Sequence, residues 1–593
     1  MKRIVSMVAV LALVTAVAPG ASATASRATR YEIVTTKDVP VKMSDGTRLY
    51  VDVYRPGHDG KAVPGRFPVI LTQTPYNKNS GALAFEAPFL IERGYVQVIA
   101  DVRGTGASEG NWNSFGDREQ KDGLELANWA TSQPWSNGDL GLYGTSYGAI
   151  NQLFTAAQHP EGLKAIFPIV PMADAYRDIS GSGGQVNTSF IPLWLGLVTG
   201  LGLLPPTYTG GDPATAVQVL LSHITNIADF QANAVASATT GGDNAFDGPF
   251  YRTRSPIEVI DKVNVPTFIS GGWFDLFQRG EPLLYQRLRA NGTPVKLLMG
   301  PWYHTTAGGG LPQDGVPDLD ELATMWFDHY MKGIPEPGLD KLNNVTYFSN
   351  GDGHYHHASD WPPPGTHYEE LFLSGPALSA DAGTLEKSAP GDQDADFIPW
   401  QPASGVCTRS TVQWTAGDGE GSFCETHNEV NDASGLSYDL KLDHDVNITG
   451  PISARLFVGT KGTDGLITAR VEDVAPDGTA TQLTAGWNVI SLRALDRSKS
   501  EITQNGLVVR PYHPFTEESQ LPVENGVVNE VYVEIFPTAA LLQKGHSLRL
   551  SITPSDAPHL SAPLPQAVDS AGGVLWVFHD AKHPSSLIVP VGR

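Results

Sequence analysis

The chain reads Gly141-Leu142-Tyr143-Gly144-Thr145-Ser146-Tyr147-Gly148 where a short apolar run meets a helical pattern that stops at Pro160. Gly-x-Ser-x-Gly arises by chance in a chain with 62 glycines, but between a strand and a helix it presents a nucleophile on a sharp turn. Gly144 and Gly148 let strand and helix approach because they lack a Cβ atom, and the turn strains the serine backbone. We therefore predict that the Ser146 hydroxyl lies beside the first N–H groups of a helix, where a negative oxygen is stabilised.

Short apolar runs with the character of buried parallel strands occur on both sides of this turn. Helical patterns such as Asp117 to Ser132 lie between several of them, and strands that alternate with helices form an α/β sheet covered on both faces. In such sheets the reacting groups gather at the carboxyl ends of the strands. The predicted strands are Phe67 to Thr72, Val96 to Ala100, Leu140 to Tyr143, Lys164 to Val170, Pro266 to Ser270 and Val295 to Met299.

The α/β pattern is interrupted once and ends before the C-terminal half of the chain. Residues 172–255 contain Gly-rich loops and apolar helical segments. We interpret them as a helical cap that walls off a pocket; a helical decoration away from the site is the alternative. Residues 31–171 and 256–340 then form the two parts of one α/β core. Short alternating strands and turn sequences predict an all-β jelly-roll sandwich over residues 344–593.

Composition and charge limit the classes of partner. The 593 residues are 41% hydrophobic and 17% charged, which is typical of globular domains rather than disorder. Lys and Arg number 40 against 63 Asp and Glu, and the net charge of −23 is spread along the chain. Such a surface repels phosphate backbones and anionic membranes. We therefore predict no nucleic-acid partner.

The N-terminus has the layout of a secretory signal peptide. Basic residues precede an apolar stretch from Ile4 to Val17, and the small residues Ala21-Ser22-Ala23 follow. A membrane anchor is the weaker alternative because the apolar run is short for a bilayer span. We predict a signal peptide over residues 1–23, cleavage after Ala23, export, and no membrane span in the mature chain.

The chain has two cysteines, Cys407 and Cys424. An even pair in an exported chain favours a disulfide over two free thiols. A bridge between them closes a loop that, on the chain-entropy model, stabilises the fold by roughly 3 kcal/mol. The wide spacing of the two cysteines argues against a zinc site, so we predict a structural role and no catalytic one.

A serine hydroxyl becomes a nucleophile when a base takes its proton and a third group orients the base. Asp275 and His304 each directly follow an apolar strand, at the edge of the sheet where loops converge. The chain order Ser146, Asp275, His304 matches the order serine, acid, histidine of α/β-hydrolases. Asp101 also follows a strand, but it precedes the serine, so we predict a structural role for it with Arg103 as a candidate partner.

An oxyanion in such a site needs two hydrogen-bond donors. The backbone N–H of Tyr147 is one by its position after the serine. The loop after the strand Phe67 to Thr72 should supply the second, and it contains Tyr76, whose hydroxyl can donate as an amide does; simple packing of Tyr76 is the alternative. His354, His356 and His357 cluster in a loop of the β-region, where surface polarity is favoured over a metal site. We predict no metal and no cofactor.

Six motifs together resemble the cocaine-esterase/X-Pro dipeptidyl-peptidase family of serine hydrolases, which includes the α-amino-acid ester hydrolases and cephalosporin acylases. Their order and spacing make the resemblance specific, and it extends over most of the mature chain. The motifs are Thr74-Pro75-Tyr76-Asn77-Lys78, Asp101-Val102-Arg103-Gly104-Thr105-Gly106-Ala107-Ser108-Glu109-Gly110, Gln133-Pro134-Trp135-Ser136-Asn137-Gly138, Gly144-Thr145-Ser146-Tyr147-Gly148, Gly271-Gly272-Trp273-Phe274-Asp275 and Gly300-Pro301-Trp302-Tyr303-His304.

This resemblance implies an α/β-hydrolase core, an inserted helical cap and a C-terminal jelly roll. It implies Ser146 as nucleophile, His304 as base and Asp275 as the acid that orients the base. It also implies that Tyr76 and the Tyr147 amide form the oxyanion hole.

Three functions stay open from the sequence. The first is hydrolysis of acyl esters or amides, the second is release of X-Pro dipeptides from free N-termini, and the third is a non-catalytic module that binds carbohydrate or protein. A peptidase needs acidic or carbonyl groups for the substrate ammonium, whereas an apolar acyl pocket needs aromatic walls. The cap offers both kinds: Asp174, Asp178, Asp229, Asp243 and Asp247 on one side, and Trp194, Phe230, Phe246 and Phe250 on the other. For the aromatic residues, simple packing in the core of the cap is favoured over a place in the pocket wall.

Overall fold

A computed structural model describes residues 30–202, 213–377, 382–391 and 395–592. The predicted signal peptide, residues 1–23, lies outside these ranges. Within them, every helix is too short or too polar to cross a lipid bilayer.

The N-terminal half is built on one sheet, whose order is β1-β2-β5-β4-β6-β7-β9-β10-β11-β12, with β3 beside β2. Strands β5 to β11 of this order run parallel, while β1, β2 and β12 are antiparallel to their neighbours. All six predicted apolar runs fall on parallel strands, because each is buried on both faces. The strands are β1 Glu32–Lys42, β2 Arg48–His58, β3 Lys61–Ala62, β4 Phe67–Thr74, β5 Val96–Asp101, β6 Ser136–Thr145, β7 Leu163–Ile169, β8 Val186–Asn187, β9 Thr267–Gly272, β10 Val295–Gly300, β11 Val345–Ser349 and β12 His354–Ala358.

Helices cover this sheet, and between β7 and β9 they form a separate insertion. Helices α4 to α7 belong to that insertion, and 3₁₀ and π turns join several of them. The helices are α1 Pro88–Ile91, α2 Asp117–Thr131, α3 Tyr147–Ala156, α4 Phe190–Gly202, α5 Pro213–Asn226, α6 Asn233–Thr240, α7 Pro249–Thr253, α8 Gly280–Ala290, α9 Leu319–Lys332, α10 Pro337–Lys341, α11 Arg409–Gln413, α12 Phe423–Thr426, α13 Glu429–Asp432 and α14 Leu564–Ser570.

The C-terminal part is a β-rich domain with its own apolar core. Its pairings run β17-β22-β19-β18-β23-β16-β14-β13-β26, and β26 pairs back to β17, so these nine strands of the described residues close into a ring. The strands are β13 His367–Ser374, β14 Gly383–Glu386, β15 Ala395–Pro399, β16 Leu436–Lys441, β17 Val446–Thr460, β18 Leu466–Val474, β19 Ala480–Val489, β20 Glu501–Ile502, β21 Val508–Arg510, β22 Asn529–Leu542, β23 Ser547–Thr553, β24 Leu560–Ser561, β25 Val574–Phe578 and β26 Ser586–Val591.

Sheet core, helical insertion and β-rich domain meet around buried ion pairs. Arg279 lies between Asp178 and Glu534, at 2.9 Å from an oxygen of each. Arg177 pairs with Asp174 and also donates to the backbone of the β-rich domain. An apolar cluster shared by all three parts lies next to these pairs. The α/β-hydrolase-like fold with a β-rich C-terminal domain, as predicted, is therefore confirmed, and its parts converge on one region.

Candidate active site

Ser146 stands on the turn between β6 and α3. Its backbone has φ 56° and ψ −118°, a strained conformation for a residue with a side chain. Strand and helix are so close that a Cβ atom on Gly144 would lie 3.2 Å from the carbonyl carbon of Gly148. Helix α3 starts at the next residue, Tyr147, whose N–H is one of the groups that a helix leaves without an internal partner.

His304 and Asp275 reach Ser146 from the loops after β10 and β9. The Ser146 Oγ atom lies 2.8 Å from Nε2 of His304, and Nδ1 of the same ring lies 2.6 Å from Oδ2 of Asp275. The other carboxylate oxygen of Asp275 accepts the N–H of Phe277 at 2.7 Å. Asp275 is fully buried and His304 is 9% exposed. The three predicted residues thus form one hydrogen-bonded series at the carboxyl edge of the sheet.

Tyr76 places a second donor at the serine. The Tyr76 hydroxyl lies beside Ser146, which lines the same cavity, and burial raises the pKa of Tyr76, so it keeps its proton. The indole Nε1–H of Trp194 donates to the Tyr76 oxygen at 3.1 Å. Because Trp194 donates to that oxygen, the O–H of Tyr76 remains available as a donor toward the serine.

A buried polar chain holds the residue after the serine. The Tyr147 hydroxyl donates to Oε1 of Glu119 at 2.6 Å and accepts from Nε1 of Trp112 at 3.0 Å. Phe115 stacks on the Tyr147 ring with centroids 3.9 Å apart. Burial raises the pKa of Glu119 to about 7. This chain fixes the Tyr147 side chain and, with it, the backbone amide beside Ser146.

A cavity of about 180 Å³ opens beside Ser146. Among the described residues its lining includes no carboxylate, and Arg254 is the one charged side chain, stacked 3.9 Å from the centre of the Phe250 ring. Trp194, Phe230 and Phe250 line it, although packing in the core of the cap was the favoured prediction for them, and Phe246 is buried outside the lining. The further apolar lining comes from Ile150, Met172, Ile179, Phe190, Ile191, Leu195, Val235 and Phe277.

The five acidic residues of the insertion that the structure describes do not line this cavity. Asp174 and Asp247 both pair with Arg177, and Asp178 pairs with Arg279. The other two, Asp229 and Asp243, are exposed. Each of these carboxylates is therefore committed to an ion pair or turned to solvent.

Asp101 supports the loop that carries Tyr76. It accepts the N–H groups of Lys78 at 2.6 Å and Ala107 at 2.8 Å, and the Lys78 ammonium lies 3.5 Å away. The prediction that Arg103 is its partner is wrong, because Arg103 instead makes two hydrogen bonds to Asp122, both of 2.7 Å. The cation beside Asp101 in the fold is therefore Lys78, and not Arg103, its near neighbour in the sequence.

The histidines of the predicted cluster have local partners. His354 pairs with Asp314 and His356 with Asp352, while His357 hydrogen-bonds to Thr346. One group of three potential metal ligands occurs among the described residues. It consists of Glu32, His58 and Asp59, which are all exposed.

The segment between the two cysteines lies against the loops of the site. The sulfur atoms of Cys407 and Cys424 are 2.02 Å apart. Within the segment, Gln413 donates to the backbone oxygen of Asp275 at 2.9 Å, and Ala416 accepts the N–H of Thr305 at 3.1 Å. The β-rich domain therefore contacts the loops that carry both the acid and the base.

Sequence reasoning missed the residues that act through others. Glu119 and Gln413 lie in unrelated stretches of the chain, and only the fold brings them to the site. A signal existed for Glu119 alone: a carboxyl on the buried face of a helical pattern needs a partner inside the protein.

The fold and the site together define a serine hydrolase with an α/β-hydrolase-like core. The family model "X-Pro dipeptidyl-peptidase (S15 family)" matches residues 45–306, and that of the "X-Pro dipeptidyl-peptidase C-terminal non-catalytic domain" matches residues 337–588. The chain therefore belongs to the cocaine-esterase/X-Pro dipeptidyl-peptidase family, as its motifs indicated.

Relatives and solved structures agree with this family. The chain is 28% identical to a cocaine esterase from a Rhodococcus species over 93% of this chain and 98% of the relative. A CocE/NonD family hydrolase from Staphylococcus aureus superposes with a TM-score of 0.69 at 21% identity, over 94% of each chain. An aminopeptidase from a marine sediment archaeon of the Thaumarchaeota gives 0.72 at 19% identity, over 97% of this chain and 99% of that one. At these identities the two structures support the fold alone.

Proposed function

We propose that this protein is a secreted serine hydrolase that cleaves acyl ester or amide bonds through Ser146, His304 and Asp275. The observation that carries the proposal is the series of two hydrogen bonds, 2.8 Å from Oγ to Nε2 and 2.6 Å from Nδ1 to Oδ2. An imidazole held in this way takes the hydroxyl proton as the serine attacks.

The reaction proceeds in two halves. His304 accepts the Ser146 proton while Oγ attacks the carbonyl carbon, and the Tyr76 hydroxyl and Tyr147 N–H hold the oxyanion. His304 then gives the proton to the leaving alcohol or amine, which leaves an acyl-enzyme. In the second half water attacks the acyl carbonyl while losing a proton to His304, and His304 returns that proton to Oγ as the bond between Oγ and the acyl carbon breaks.

The cavity supports an uncharged, apolar acyl group over a substrate with a free α-ammonium. An ammonium needs a carboxylate or several carbonyls when it leaves water, and no carboxylate lines the cavity among the described residues. Release of X-Pro dipeptides is the runner-up, because the matching family models carry that name.

Several finer features belong to the same proposal. We propose that α4 to α7 act as a cap over the cavity, that the ring of the β-rich domain is of jelly-roll type, and that Cys407 and Cys424 form a disulfide. The cap boundaries stay at residues 172–255, whereas the predicted start of the jelly roll at residue 344 is too early, because β11 and β12 belong to the N-terminal sheet. We propose that the jelly roll extends from β13 to β26. Secretion rests on the signal-peptide pattern over residues 1–23.

A substrate panel with one variant tests this function. We expect turnover of p-nitrophenyl esters, little turnover of Gly-Pro and Ala-Pro p-nitroanilides, and labelling by a fluorophosphonate. Ser146→Ala should lose nearly all turnover and labelling while its circular dichroism stays unchanged. Unchanged turnover in Ser146→Ala would reject the mechanism. Preference for free-amine anilides over their acetylated forms would select the peptidase, and no labelling of wild type would favour a binding module.

A further inference from the structure

Glu281, near the start of α8, is buried beneath the turn that follows β9. Its side chain has no exposure to solvent, and its Oε2 atom accepts the N–H of Gly272 at 3.1 Å. A Cβ atom on Gly271 would collide with that same oxygen. The paired glycines before Trp273 therefore make room for a carboxyl group directly behind the site.

The second oxygen of Glu281 has no donor. Oε1 is buried and has no hydrogen-bond partner. Asp275 lies on the same turn, because its N–H donates at 3.1 Å to the carbonyl oxygen of Gly272, the residue whose own N–H Glu281 accepts. Asp178 adds a further negative charge nearby, and Arg279, two residues before Glu281 in the chain, is engaged by Asp178 and Glu534. Two buried carboxyl groups in contact hold one charge and one proton between them.

Of the two carboxyl groups, that of Asp275 has the hydrogen-bond donors that favour a negative charge. It accepts from the ring of His304 and from the N–H of Phe277, and hydrogen bonds to the charged form favour that form. Burial, followed by the charge of Asp275, raises the pKa of Glu281 well above its usual range. The proton of the pair therefore belongs on Glu281, and Asp275 carries the charge.

We propose that Glu281 is a positioning residue that, as a neutral acid, donates a hydrogen bond to Asp275 and holds that carboxylate against His304. The inference rests on the proposed function, since it gives the orienting acid a partner of its own. The proton stays on Glu281 throughout the reaction. Its contribution is geometric and electrostatic: one more donor fixes Asp275 and limits its basicity.

Two substitutions separate this role from simple packing. In Glu281→Gln the amide oxygen can accept from Gly272 and the amide NH₂ can donate to Asp275, so we expect kcat within about threefold of wild type and an unchanged pH profile. Glu281→Leu keeps volume and loses the donor. We expect kcat to fall roughly 10- to 100-fold, as for one charge-assisted hydrogen bond, with KM nearly constant. The acid limb of kcat/KM should move to higher pH, because a more basic Asp275 raises the basicity of His304.

A matched control and a spectroscopic readout complete the test. Glu472 is another buried acid, raised in pKa by burial and by Asp432 in the β-rich domain, and Glu472→Leu should lower stability without moving the kcat/KM profile. An infrared difference between wild type and Glu281→Gln should show a protonated carboxyl band at about pH 8, where an ordinary glutamate is ionised; this readout does not need the leucine variant to fold.

Three results would overturn the proposal: a loss in Glu281→Gln as large as in Glu281→Leu, an unchanged profile in a folded Glu281→Leu, or a carboxylate band alone. The proposed function is tested separately by Ser146→Ala. An inactive Ser146→Ala beside an unaffected Glu281→Leu removes only this inference.

Discussion

At the scale of single residues, the phenol of Tyr76 is the sharpest test of the oxyanion site. Tyr76→Phe removes the hydroxyl that contacts Ser146 and leaves the buried ring in place. We expect kcat to fall by about 10²–10³, the usual loss for one oxyanion donor, with little change in KM. Steady-state kinetics on a p-nitrophenyl ester measure it.

Trp194→Phe is the comparison for this prediction, because it removes the donor to the Tyr76 oxygen and keeps an aromatic ring in the cavity wall. It should cost less than Tyr76→Phe. A Tyr76→Phe variant within about threefold of wild type would mean that Tyr76 is only packed against the serine.

Glu119 links the site to the pH dependence of stability. Its pKa rises from 4.5 to about 7 on folding because it is buried, so the folded state binds more protons than the unfolded state between these values. Its contribution to stability is complete below about pH 4.5 and is lost as the pH rises through 7. At 1.36 kcal/mol per pKa unit the contribution amounts to ~3 kcal/mol.

Glu119→Gln stays neutral and can still accept the Tyr147 hydroxyl proton. We expect the urea midpoint of the variant to change less than that of wild type between about pH 4.5 and 7, and to match or exceed wild type at about pH 8. Midpoint curves that run parallel for the two proteins over this range would contradict the assignment.

The positions of Ser146, Asp275 and His304 were predictable because each follows a strand whose apolar run is visible in the sequence. The roles of Glu119 and Glu281 were not, since the helical pattern around Glu119 indicates burial without naming its partner, and nothing near Glu281 shows that its carboxyl is buried.

At the scale of elements, the segment between Cys407 and Cys424 supports the loop of His304. Cys424→Ser opens a loop of sequence separation 17, which should lower the free energy of unfolding by ~3 kcal/mol on the chain-entropy model. The contacts from Gln413 to Asp275 and from Thr305 to Ala416 should loosen with it. We therefore expect a lower Tm and a reduced kcat together.

Reduced wild type is the control for this variant. If the bridge acts as proposed, treatment with a reductant should bring its Tm and kcat to those of Cys424→Ser, and should leave the variant unchanged. A reduced wild type with an unaltered Tm would separate the cysteines from the stability of this segment.

The strands and helices were easier to predict than the closure of the C-terminal strands into a ring. Both faces of β4 to β7 are buried, so their apolar runs stand out, and the alternation in the C-terminal half indicates strands. The return of β26 to β17 is not visible in the sequence, because any exposed strand edge with the right pattern can pair with another.

At the scale of the whole molecule, Arg279 joins the three parts that surround the cavity. It comes from the loop before α8, and its guanidinium meets Asp178 of the insertion and Glu534 of the β-rich domain, all nearly out of reach of solvent. Burial of a charge network is costly unless every member is paired. Arg279 is therefore one of the side chains on which the relative placement of the parts depends.

Arg279→Met should remove both ion pairs and leave the carboxylates of Asp178 and Glu534 without their cation. The loss of one partner from a buried pair typically costs 3–5 kcal/mol, and we expect a drop of that size in the free energy of unfolding measured with urea. The loss in stability should be larger above about pH 7 than near pH 5. The pKa of Asp178 is about 6 beside Arg279 and rises further when Arg279 is removed, and a protonated carboxyl needs no cation.

Arg287→Met, which breaks an exposed pair with Asp261, is the control and should cost at most ~1 kcal/mol. Equal losses in the two variants would show that the parts are held together by their apolar contacts, with the buried ion pairs contributing no more than a surface pair does.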